Sequence, residues 1–282
     1  MSELTTLTID GLTLTRVLYA DVMIAPEAAG LTAHDLMKVP WRAPLWADDT
    51  QLGASASAWV IETLAPEGIA NTAPRRRIVL EPLQAADDVL HDPDAGTFHA
   101  DAFAEVMART GYPVESIDTV VISHLETIGM VARREPDGSW QRFFPNARIL
   151  IPRVSYELFC AMPPDFPSTV PWQRFIEQGW VDTFDDGDEI VSGMRVELTG
   201  AHNPGHCVFH FGTGPIATWL GHLAINPLHL ATGLCPLQHP EPERAWELLQ
   251  GFRNDGRLLL GPLWPSPAIG RWDTDRFVAG NA

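Results

Sequence analysis

The chain has 282 residues, an apolar fraction of 45% and a formal charge of −17, a composition that fits a globular protein with a sizeable core and not a disordered one. Its densest cationic run is only Arg75-Arg76-Arg77, so the basic stripe that a polyphosphate requires is missing and nucleic acid is excluded as an expected partner. No apolar stretch approaches the roughly 20 residues that cross a bilayer, and Met1-Ser2-Glu3 does not open a secretory signal, which predicts a cytoplasmic protein with no membrane partner.

In chain order, two alternating runs, Leu4 to Ile9 and Leu12 to Leu18, flank Asp10-Gly11, a strong two-residue hairpin signal. The stretch from Pro26 to Gly53 has no clean period and reads as a long loop or lid with short helical turns. Strands are predicted at Ala56 to Leu64 and Arg77 to Leu80. Phe103, Val106 and Met107 follow helical spacing between Ala100 and Thr110, with Gly111 placed to cap the helix end. A buried strand, Thr119 to Ile122, leads into Ser123-His124, and another runs from Arg148 to Ile151. Helical segments near Val154 to Cys160 and Trp172 to Gln178 precede strands at Glu189 to Leu198, Val208 to Phe211 and Ile216 to Leu220. A helix from Pro240 to Phe252 opens with acidic residues, which its N-terminal dipole favours, and Arg257 to Leu260 is the last predicted strand. Two batches of strands, each followed by helices, suggest an α/β protein of two packed sheets covered by helices. No linker is long or polar enough to divide it, so a single domain over 1–282 is expected. Cys160, Cys207 and Cys235 are too widely spaced for a disulfide framework or a zinc ribbon.

From Thr119 onward the sequence carries five ordered features. They are Val120-Val121-Ile122-Ser123 followed by His124-Leu125-Glu126-Thr127-Ile128-Gly129; Phe144-Pro145-Asn146-Ala147; Pro204-Gly205-His206-Cys207; Gly221-His222; and Leu263-Trp264-Pro265-Ser266-Pro267-Ala268-Ile269-Gly270-Arg271. Together, over roughly residues 50 to 272, they resemble the metallo-β-lactamase superfamily, in its lactonase and organophosphate-hydrolase branch. That resemblance implies an αββα sandwich of two mixed sheets flanked by helices, with the chemistry on loops along one edge.

The family's His-x-His-x-Asp-His motif is degenerate here. Read without gaps, the places of the second metal's ligands hold Ile128, Gly129, His222 and Leu263, three of which cannot coordinate a cation, so ordinary two-metal hydrolysis is expected to be absent. The first metal's places hold His124, Glu126, His206 and His222, all able to bind a divalent transition metal such as Zn or Fe. These four are expected to converge. The same residues also allow a metal-free pocket with Glu126 as base and His124 or His206 as acid partner. A third reading is a binding protein that has discarded the chemistry.

Three further residues are candidates for contact with a small, partly apolar substrate beside His222: Asn226, His229 and Trp264. His202, His210 and His239 match no ligand place, and His210, in an apolar run, is expected to be a satisfied core or sheet-edge group. Glu81-Pro82 stands where the family has an Asp-Thr-Gly turn, which implies that support for the old site is lost. The expected activity is non-standard chemistry of the lyase, cyclase, isomerase or modified-hydrolase kind, with at most one metal ion; a homodimer is compatible with the sequence.

Overall fold

The computed structural model describes residues 5–63, 75–82, 93–125, 131–135, 137–162, 170–214, 216–235 and 240–280. Strands β1 (Thr6–Ile9) and β2 (Leu12–Ile24) form the predicted hairpin in the register Ile9 to Leu12. Asp10 and Gly11 both take positive φ, 42° and 84°, the backbone that matches a hairpin turn to the twist of its strands. The chain continues through β3 (Leu52–Thr63), β4 (Arg77–Leu80) and β5 (Thr119–Val121), then a small separate hairpin, β6 (Ala132–Arg134) with β7 (Trp140–Arg142), and on through β8 (Arg148–Pro152) and β9 (Val181–Phe184). One seven-stranded sheet has the order β1-β2-β3-β4-β5-β8-β9. Its β3–β4 pairing is antiparallel, and β4, β5, β8 and β9 pair in parallel.

The second seven-stranded sheet follows chain order: β10 (Glu189–Val191), β11 (Met194–Leu198), β12 (Cys207–Phe211), β13 (Ala217–Trp219), β14 (Leu258–Leu260), β15 (Ile269–Asp273) and β16 (Arg276–Ala279). Only β13 and β14 pair in parallel, because the helix Pro242–Asn254 lies in the connection between them. Two large mixed sheets are thus present.

By compactness the chain divides into two units: residues 1–19 with 57–185, and residues 20–56 with 186–282. In the first, Phe103 stacks on Phe143 with centroids 5.8 Å apart, and Phe143 meets Phe144 edge-on at 4.9 Å. Val79, Leu80, Val121 and Ile151 are fully buried there. In the second, Phe277 receives Trp46 and Trp264 edge-on at 5.5 and 5.1 Å, and Phe209 packs against Trp219 at 5.9 Å.

Several elements differ from expectation. The predicted strand Glu189 to Leu198 is a hairpin, broken where Gly193 adopts φ 84°. The Pro26 to Gly53 stretch contains a 3-10 turn, Pro26–Ala29, and a short helix, Ala33–Met37. In that helix the Thr32 hydroxyl accepts from Asp35 N–H, and the Asp35 carboxylate accepts from Thr32 N–H, a reciprocal cap that stands in for a clean period. The helix around Ala100 begins earlier, at Pro93. Beyond Leu260, where the last strand was expected, the chain adds the β15–β16 hairpin.

Candidate functional site

Three histidines of the second unit, His202, His206 and His222, come from two turns. The first joins β11 to β12 and is tied at its base: Thr199 and Gly200 N–H both donate to His206 O, at 2.9 and 3.1 Å, and His206 N–H donates to Asn203 O at 3.0 Å. Gly200, with φ 60°, and the Pro204-Gly205 pair let the chain reverse there. This loop carries His202 and His206, both buried. The second is the 3-10 turn Gly221–Leu223 after β13, which carries buried His222. Its entry is fixed by Leu220 N–H donating to Leu260 O at 2.9 Å.

The rings meet. His202 lies edge-on to His206 with centroids 5.5 Å apart and to His222 at 5.2 Å. One ring nitrogen of His202 and one of His222 lie within 4.8 Å of each other, close to the roughly 4 Å that two ligands of one ion can span with bonds of ~2.0–2.1 Å. Two buried imidazoles brought together in this way are donors that suit a divalent transition metal.

His206 is placed differently. Its Nε2 accepts the His222 backbone N–H at 3.1 Å, and its Nδ1 sits 2.7 Å from Thr199 Oγ1. Since an amide can only donate, the neutral ring must carry its proton on Nδ1. The Thr199 hydroxyl then accepts from Nδ1–H and donates its own hydrogen bond to His206 O, 3.1 Å away. Gly221 completes the arrangement: a Cβ there would stand 2.5 Å from His206 Nε2, so the ring lies directly against this backbone.

In the first unit, His124 follows β5 and is buried. Ser123 Oγ lies 2.8 Å from its Nδ1. Glu81, at φ 47° after β4, accepts Ser123 N–H at 2.8 Å and brings its other oxygen to 4.0 Å from His124 Nδ1. The expectation that support was lost at Glu81-Pro82 is therefore corrected: the buried carboxylate of Glu81 holds the turn that carries His124. Glu126, Ile128, Gly129 and His239 lie outside the described residues.

The expected substrate contacts other than His222 have their polar atoms committed to backbone. Asn226 donates to Trp46 O and Gly53 O, at 3.2 and 2.8 Å, and accepts from Leu228 N–H at 2.9 Å. His229 bridges Asn226 O and Ala29 O, each at 2.9 Å, and its complete burial pushes its pKa down. Trp264 Nε1 donates to Ala224 O at 2.6 Å. These bonds give Asn226 and His229 a scaffold role, since they anchor the 26–53 stretch, a task the sequence does not announce. His210 is a satisfied sheet group, bonded to Glu197 and Thr218. His202, by contrast, was given no role by its spacing, and only its neighbours in space reveal it. Leu263 offers its carbonyl to Ser55 N–H at 2.8 Å, and its aliphatic side chain has no ligand atom.

Three solved structures are similar along nearly the whole chain. A hydrolase, AbOPH, of the β-lactamase superfamily is 16% identical with a TM-score of 0.69, covering 100% of this chain and 99% of its own. A probable metal-dependent hydrolase from Staphylococcus aureus is 13% identical with a TM-score of 0.68 and coverage of 98% and 99%. AidC, a dizinc quorum-quenching lactonase in complex with a hexanoyl-homoserine product, is 15% identical with a TM-score of 0.62 and coverage of 98% of both chains. No family model and no curated protein matches the sequence. The chain has the metallo-β-lactamase fold. At these identities the likeness reaches the fold and stops there.

Proposed function

We propose that this protein is an enzyme that acts on a small, partly apolar molecule with the help of at most one divalent transition-metal ion, zinc or iron, and not of a metal pair. The observation that carries this reading is the approach of His202 to His222, two buried imidazoles with ring nitrogens within 4.8 Å. His124 and Glu126 enter the proposal from the sequence likeness, and their substitution belongs to the same test. When bound, such an ion supplies a Lewis acid for a carbonyl or similar oxygen. The histidines are buried, and Thr199 with the His222 backbone N–H fixes the orientation of the His206 ring. Leu263 in the place of a second-metal ligand argues against a second ion, and we place the reaction among lyase, cyclase, isomerase or modified-hydrolase chemistry.

Elemental analysis of protein purified without added metal, alongside His124→Ala, Glu126→Gln and His222→Ala, tests the reading. Close to one ion per chain is expected in the wild type and a substantial loss in the variants. Two tightly held ions overturn it. A metal-free protein that is fully active against its substrate and loses activity in Glu126→Gln supports acid-base catalysis by that carboxylate instead.

A further inference from the structure

We infer that the imidazole ligands which the second unit gives to the ion are His202 and His222, and that His206 is a positioning residue that holds the His222 turn. This rests on the single-ion reading above and names its ligands. The sequence pattern points to the opposite assignment, since His206 occupies the Pro-Gly-His place and His202 matches none.

Four observations favour the exchange. The Nε2 lone pair of His206 is engaged by the His222 N–H at 3.1 Å, so ligation through that atom would break the bond that anchors the turn. The other nitrogen carries the proton and is held 2.7 Å from Thr199 Oγ1. Gly221, the one residue type that tolerates both φ 56° and the ring at 2.5 Å from a Cβ position, seals the Nε2 edge with backbone. His202, four residues earlier on the same loop, presents its ring to His222 at a centroid distance of 5.2 Å. The loop has thus passed one ligand place from its base to its tip. His206 serves the ion only by fixing the direction from which His222 approaches, as outer partners of metal ligands do.

The test combines titration with zinc chloride and ¹⁵N NMR of the histidine rings in metal-stripped wild-type protein. His202→Ala and His222→Ala should lose stoichiometric uptake. His206→Gln, whose amide oxygen can still accept the His222 N–H, should keep one-to-one binding with affinity lowered by about 10–100-fold, the effect of losing an outer partner. In the wild type, zinc should shift ring nitrogens of His202 and His222, while His206 keeps a protonated Nδ1 and an unmetallated Nε2. The NMR arm needs no variant to fold. A wild type that takes up no zinc overturns the single-ion reading and this assignment together. One-to-one binding with a metal-shifted His206 Nε2, or uptake retained in His202→Ala and lost in His206→Gln, overturns the assignment alone.

Discussion

His210 Nε2 donates a 2.7 Å hydrogen bond to Glu197 Oε2 across neighbouring strands β12 and β11. The direction is fixed on the other side of the ring, where Arg257 Nη1 stands 3.1 Å from Nδ1 and can only donate, and also donates to Thr218 Oγ1 at 2.8 Å. Arg257 is itself paired with Asp255. This cluster belongs to the sheet and not to the candidate site.

The hydrogen bond from His210, with the charges of Arg257 and Arg195, holds the Glu197 carboxyl below its ordinary value, against the opposing pull of partial burial. A depressed folded-state pKa stabilises the fold above the unfolded carboxylate value of roughly 4.3, and this contribution is lost as pH falls through the folded value. Urea unfolding of wild type and Glu197→Gln should show the wild type ahead at pH 7 and the gap closing below about pH 4. A gap that is unchanged or widens in acid would remove this role.

Asn226 should be intolerant of change. Its amide satisfies two buried carbonyls, and its oxygen accepts a third group, Leu228 N–H. Asn226→Ala is expected to cost about 1–3 kcal/mol for each buried group left without a partner, less whatever water recovers. Asn226→Asp should be worse, because a carboxylate would face the carbonyls of Trp46 and Gly53 with no hydrogen to offer. Denaturant midpoints decide the order, and an Asp variant more stable than the Ala variant would contradict it.

Gly221→Ala is expected to destabilise by about 1–2 kcal/mol from the left-handed backbone alone, with a further cost from displacing the His206 ring. Its thermal midpoint should fall and its zinc affinity should drop, since the His222 turn moves with it. Unchanged affinity in a folded Gly221→Ala protein would separate the turn from the ion.

Hydrolysis of lactones, β-lactams and phosphotriesters should be negligible with zinc, manganese, cobalt or iron supplied. The residues in the second ion's places, Ile128, Gly129 and Leu263, offer no side-chain ligand atom. Turnover in the ordinary enzymatic range of about 1–10³ s⁻¹ on any of these substrates would show that the reading of those substitutions is mistaken.

The chain passes between its two compact units after residues 19, 56 and 185. We propose that 1–282 unfolds as one cooperative domain, because neither unit is a continuous segment that can be released by itself. Scanning calorimetry should record one transition with matching calorimetric and van't Hoff enthalpies. Two resolved transitions would divide the domain.

What the sequence by itself determined is local or patterned. The Asp10-Gly11 turn, the strand Arg77–Leu80 and the apolar run Val208–Phe211 follow from backbone preference and hydrophobic period, forces that act within a few residues. The order of motifs from Ser123-His124 to Pro267 was equally legible and pointed to the fold. Only the tertiary structure decided which side chains those motifs present to one another. Glu81 reaches Ser123, 42 positions away, and Asn226 reaches Trp46 and Gly53 across 180 and 173 positions. His202 and His206 exchange apparent roles within one loop because a hydrogen bond to His222, 16 residues on, occupies one ring and leaves the other facing it. Spacing along a chain fixes which residues share a loop; the direction each ring takes is set by buried hydrogen bonds to distant backbone, which must be satisfied wherever the fold brings them.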